Sequence, residues 1–207
     1  ILSQIATITH SDYYFLFHTV DASLGYKRTF DQEDKELDIS FNSSFGNNHI
    51  RSNNNQVWLP GDSLFYGVNS ANIGKENESE LQLDYTQPLK KNIILGMGGK
   101  FNYSEITSNA NVASFQPVPD DYFYDKALSN SLDYKQKVIA LYTEISFPVV
   151  KLFETKMGMR YERTDINSFY SNAQQQLNAP GYNTWVPAVF FSKKIGDNQT
   201  IKLSYSK

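Results

Sequence analysis

The 207-residue chain contains no cysteine, which excludes both a disulfide framework and a thiolate-ligated metal. It also lacks any run of ~18 apolar residues, so no helix of this sequence crosses a bilayer. That exclusion does not extend to a membrane barrel, whose strands are polar at alternate positions and lower the mean hydropathy. Histidine is scarce, and His10, His18 and His49 are too dispersed for a Zn²⁺ site. No G-x-S-x-G or Ser-His-Asp arrangement occurs. Gly96, Gly98 and Gly99 precede no helical pattern, so they are no phosphate loop and are expected to ease twist or close packing. With no catalytic constellation left, the chain reads as a non-enzyme without a cofactor. A net charge of −3 gives no reason to expect nucleic acid.

What is abundant is aromatic. Fourteen Tyr and fourteen Phe favour strands, and the charged and hydrophobic shares, 20% and 40%, suit a folded protein. The stretch 135–167 carries the clearest pattern. Ile139, Leu141, Ile145 and Phe147, then Phe153, Met157, Met159 and Tyr161, fall on odd positions. Glu144, Glu154, Lys156, Arg160 and Glu162 fall on even ones. Strand side chains alternate faces with period 2, so two strands joined by a turn at 147–152 place charge on one face and apolar bulk on the other. Each arm reaches the ~9–11 residues that a tilted strand needs to cross a bilayer.

The same alternation recurs along the chain. Hairpins are expected at about 20–46, 80–106, 132–167 and 184–207, with 1–19 poorly defined. Short turns fall near Asp31, Pro88, Pro148 and Gly196, while polar loops are expected at about 46–79, 107–131 and 168–183. This short–long rhythm is that of outer-membrane barrels, which have short periplasmic turns and long extracellular loops. Tyr26, Tyr85, Tyr103, Phe147, Tyr161, Trp185 and Tyr205 lie near strand ends, as interfacial girdles require. The expected fold is therefore all-β, an antiparallel up-and-down meander of about eight long strands within a transmembrane β-barrel wall. A soluble β-sandwich on the cell surface, such as a glycan-binding module, has the same one-sided alternation with its apolar face packed inward. Exposure of the odd-numbered stripe separates the two.

Four motifs occur in order: LDYTQPL at 83–89, GMRYERT at 158–164, WVPAVFFSK at 185–193 and QTIKLSYSK at 199–207. Together they resemble the β-barrel region of TonB-dependent outer-membrane receptors of Bacteroidetes-type bacteria. The resemblance implies part of a plugged barrel of ~22 strands, located in the outer membrane of a Gram-negative cell. Its implied partners are membrane lipid, the TonB system through parts of the protein outside this sequence, and an unidentified ligand. The chain begins at Ile1 and stops at Lys207 within a strand-like run, so it reads as a fragment, and its open edges would favour self-association.

Two groups of residues invite a functional reading. The even-face charges Glu144, Glu154, Lys156, Arg160 and Glu162 either guide solute and contact a plug or form an ion-pair lattice that solvates the inner wall. Asp120, Asp121 and Asp125, beside Tyr122, Phe123 and Tyr124, offer oxygen ligands for Ca²⁺ or aromatic rings for a sugar. Asp120, Asp121, Tyr122, Tyr124 and Asp125 are therefore the ligand-binding candidates.

Overall fold

A computed structural model describes residues 6–59, 61–90, 92–149, 153–171, 175–195 and 199–207. They form one antiparallel sheet of nine strands. In chain order these are β1 (Ala6–Thr29), β2 (Glu36–Leu59), β3 (Ser63–Lys90), β4 (Ile93–Gln116), β5 (Asp121–Tyr124), β6 (Asn130–Val149), β7 (Phe153–Tyr170), β8 (Gln175–Ile195) and β9 (Gln199–Ser206). Spatial order follows sequence order, β1-β2-β3-β4-β6-β7-β8-β9, with β5 attached to β4. The sheet is open, since β1 and β9 do not pair with each other.

Eight long strands and their order agree with the alternation in the sequence, but their lengths do not. β3 has 28 residues, far more than the ~9–11 that span a bilayer. The expected loop at 46–79 is strand except for the connection between β2 and β3. The expected loop at 107–131 holds the end of β4, all of β5 and the start of β6. That at 168–183 holds the end of β7 and much of β8. The expected undefined segment 1–19 belongs to β1 from Ala6 onward. Residues 1–5, 172–174 and the expected turn centres at 150–152 and 196–198 lie outside the described residues.

These segments are extended because each is paired on its flanks. Residues 46–55 of β2 are in register with both β1 and β3, so the ladder satisfies their backbone groups without apolar burial. Cross-strand hydroxyl pairs add to this, with Ser52 Oγ and Ser70 Oγ 2.8 Å apart and Ser108 Oγ donating to Asn72 Oδ1 at 2.9 Å. The reversals rest on Asp and Asn in the left-handed region, which these side chains tolerate. Asp34, Asp62, Asn92 and Asp120 have φ of 62°, 50°, 68° and 71°. Two prolines fall where the ladder is irregular: the register shifts between Pro88 and Lys90, and Pro180 sits opposite a second shift between Thr164 and Ile166.

A sandwich is not what forms. All nine strands lie in one sheet, and among the described residues Val112 and Ala140 are the only buried hydrophobics. The apolar stripe has no second layer over it, and Leu24, Leu141 and Leu203 are 72%, 59% and 67% exposed.

Candidate functional site

The register defines two faces. The outer face carries even residues on β1 and odd residues on the other long strands. Leu24 pairs with Phe41, Phe41 with Leu81, Leu81 with Phe101 and Phe101 with Ile139, but Ile139 then pairs with Arg163. A second row starts at Arg28, passes Leu37, Tyr85, Met97 and Thr143, and ends in apolar Met159. A line perpendicular to the strands thus leaves the apolar belt at one side and enters it at the other. The belt runs obliquely across the ladder, which is the signature of strands tilted against a flat apolar slab, as in barrels at ~35–45°.

Tyrosines mark the two borders of this belt. At its upper border, toward the β2–β3 connection, Tyr103 donates to Glu105 Oε2 at 3.2 Å and Tyr161 to Asn183 Oδ1 at 3.0 Å. At the lower border, Tyr85 donates to Gln87 Oε1 at 2.7 Å. In each case the hydroxyl points away from the belt's middle while the ring stays beside it. Tyr161 also packs against Trp185 with ring centroids 4.8 Å apart. An amphipathic ring with one wet end suits an interfacial girdle.

The opposite face is polar and paired. Ion pairs join Lys27 to Glu36 (2.9 Å), Lys100 to Glu80 (2.6 Å), Lys156 to Glu144 (3.2 Å) and Arg160 to Glu162 (2.8 Å). The other two ion pairs among the described residues, Lys135–Glu105 and Arg163–Asp165, lie on the outer face above the belt. The even-face charges therefore form the expected lattice for the most part. Glu154 is opposite Pro148 and Ser192 and has no ion pair among the described residues.

One hydrogen bond outside these ion pairs spans three strands. Tyr142 of β6 donates to Asp84 Oδ1 of β3 at 2.5 Å, passing over Gly98 of β4, and Gln82 donates to Asp84 Oδ2 at 2.6 Å. A Cβ at Gly98 would strike the Tyr142 ring and lie 2.7 Å from Asp84 Oδ1. Gly98 thus permits close packing, as expected, while Arg160 faces the same ring from 5.9 Å. The inner face encloses a trough of about 620 Å³ lined by residues from β1 (Asp21) through β7 (Arg160), so the sheet curves around this side.

The five loop candidates divide by role. Asp125 accepts hydrogen bonds from Ser114 Oγ (2.8 Å), Ala127 N (2.9 Å) and Leu128 N (3.1 Å). These donors hold its carboxyl below the usual range, the Ser114 bond contributing most. It closes the bend between β5 and β6. Asp121 accepts from Tyr122 N at 2.7 Å, and Asp120 forms the β4–β5 reversal. Tyr122 donates to Asn55 Oδ1 across Gly67. Among the described residues no three carboxylate or imidazole side chains converge on a metal position. Tyr124 is different: it is 65% exposed and lines a groove with residues from four other strands.

Residues 28–207 match the model of the outer membrane protein beta-barrel family. The chain belongs to that family. Within it, the oblique apolar belt is the lipid-facing surface and the ion-paired face is the luminal one, and the protein resides in the outer membrane. No curated protein matches the sequence. Solved structures share the fold at low identity. The unliganded ferric citrate transporter FecA aligns at TM-score 0.61 and 13% identity, over 91% of this chain and 27% of that one. The copper transporter OprC aligns at 0.57 and 10%, over 92% and 30%. BauA, the ferric preacinetobactin receptor of Acinetobacter baumannii, aligns at 0.55 and 9%, over 90% and 29%. The chain spans less than a third of the length of each.

Proposed function

We propose that this barrel segment is part of a TonB-dependent receptor of Bacteroidetes type, serving as membrane wall and as the extracellular surface that meets an incoming ligand. The observation that carries the reading is the division of the sheet into an exposed apolar belt and an ion-paired luminal face, continued far above the belt by paired strands. A wall with lipid on one side and an aqueous lumen on the other needs both surfaces. The three neighbours named above are described as a ferric citrate transporter, a copper transporter and a ferric preacinetobactin receptor. Uptake of a scarce, membrane-impermeant ligand is the activity assigned here by that likeness. No catalytic step is assigned, and energy would reach the ligand through TonB and a plug.

Uptake by cells expressing the full-length protein tests this reading. A panel of labelled ferric chelates and copper should include one taken up saturably, and that uptake should stop in cells lacking TonB. Uptake that is linear in concentration and indifferent to TonB would mean a passive pore. Expressed alone, the chain would expose the whole edge of β1 and pair with a second copy. A monodisperse monomer in detergent, by light scattering, would rule that pairing out.

A further inference from the structure

Above the apolar belt, on the same outer face, β1 to β5 frame a groove of about 580 Å³. Its floor includes the small residues Ala71 and Ala113, and Tyr14 and Tyr124 stand at its sides. Asn53 and Asn69 lie directly opposite each other between them. The side-chain oxygen of each is shielded from water and has no hydrogen-bond partner. A shielded acceptor without a donor is unfavourable, and two side by side on one groove are left unmet by the protein itself. A small rotation about the broad terminal torsion of Asn turns either group toward the groove.

The chemistry that completes such a groove is a saccharide. Sugar hydroxyls donate to amide oxygens and accept from amide nitrogens, while the flat apolar faces of pyranose rings cover Tyr rings. Position selects which saccharide. The groove opens on the face that is continuous with the lipid-facing belt, not on the lumen. Asp12 lies about 13 Å along β1 beyond Leu16, and Asn53 about 26 Å along β2 beyond Phe45, at ~3.3 Å per residue. With a tilt of ~45°, the groove, where Asp12 and Asn53 pair, stands about 9–18 Å above the belt, past the headgroup layer and within the sugar layer of an outer-leaflet glycolipid. We propose that this groove binds the core saccharide of lipopolysaccharide from the surrounding outer leaflet, with Asn53 and Asn69 as hydrogen-bonding residues and Tyr124 as a stacking platform.

The test uses the full-length receptor in neutral detergent and three probes: core-bearing lipopolysaccharide, lipid A without the core, and the free core oligosaccharide, with affinities from isothermal titration. The wild type should bind the core-bearing glycolipid at least tenfold more tightly than lipid A. An Asn53→Ala/Asn69→Ala pair, and separately Tyr124→Ala, should abolish that preference while leaving lipid A affinity unchanged. Tyr124→Phe, which keeps the ring, should retain it. Tyr124 is exposed on the short strand β5, so its replacement spares the long ladders, and heat-modifiable migration on gels verifies that each variant is folded. No preference in the wild type, or a preference that survives both sets of substitutions, would overturn the assignment. Free oligosaccharide binding as tightly as the intact glycolipid would overturn the membrane source.

Discussion

The lower and upper halves of this sheet are made of the same strands and follow the same ladders, yet their sequences look unrelated. Below, Phe153, Met157, Met159 and Tyr161 alternate with Glu154, Lys156, Gly158 and Arg160 on β7. Above, β2 reads NNHIRSNNNQ at 47–56, with amides and hydroxyls on both faces. In the lower half one face meets lipid and the other water, so residue type must change every position. In the upper half both faces are polar surroundings, and the constraint that produces alternation disappears. Period 2 therefore reports a difference between two faces, while strand pairing itself requires only backbone partners.

Substitutions that confuse the two faces should have the largest effect. Met157 stands mid-belt on β7, and Met157→Arg should destabilise the full-length barrel in lipid by about 2–4 kcal/mol, read from urea titration. Lys156→Gln, one residue away on the luminal face, breaks only a half-exposed ion pair with Glu144 and should cost under ~1 kcal/mol. Similar losses for both would erase the distinction between the faces. Ala140 is a poor luminal control, because it is 1% exposed and any larger side chain would overpack it.

The luminal latch should come next. Gly98→Val drives a side chain into the Tyr142 ring and should cost about 1–3 kcal/mol, whereas Tyr142→Phe removes one hydrogen bond and should cost about 1. In a Tyr142→Ala background the Gly98→Val penalty should largely vanish; an undiminished penalty would show that the glycine serves some purpose other than passage of the ring.

The smallest effect is expected in the upper half, at the Asp125 bend. Its donors hold the folded carboxyl below the usual aspartate range, so its contribution is present above the unfolded value and is lost as pH falls through the folded one. At neutral pH, Asp125→Ala should speed tryptic cleavage after the exposed Lys126 severalfold with the barrel intact. Wild-type protein should resist pepsin at this bend until the pH falls below the ordinary aspartate range. A cleavage rate unchanged by the substitution would remove the capping role.

How much of this was legible follows from the same contrast. The eight long strands, their order and the lipid-facing residues were readable because lipid imposes alternation on Leu81, Leu83 and Tyr85 or on Ile201, Leu203 and Tyr205. The strand extensions were not, since Ser52–Ser70 pairing or an Asn-rich ladder has the composition of a loop. One sign was available: Pro60-Gly61-Asp62 is a turn signal in the middle of the segment expected to be loop, and Gly61 with φ 125° does stand at that reversal. The short strand β5 and the roles of Asp121, Tyr122 and Asp125 depend on which atoms meet across Gly67 and Ser114, and spacing along the chain does not encode that. The groove of Asn53, Asn69 and Tyr124 was equally hidden, as its walls come from strands far apart in sequence.

The central claim is that one face meets lipid and the other the lumen. This segment has no native cysteine, so once any cysteine elsewhere in the full-length protein is replaced, single cysteines can be placed at 153–162, spin-labelled and reconstituted in liposomes. Collisional accessibility to oxygen, which concentrates in lipid, should peak at 153, 157, 159 and 161, while a water-soluble nickel chelate should favour 154, 156, 160 and 162. Accessibility without period 2, or with the two sets exchanged, would contradict the assignment of the faces.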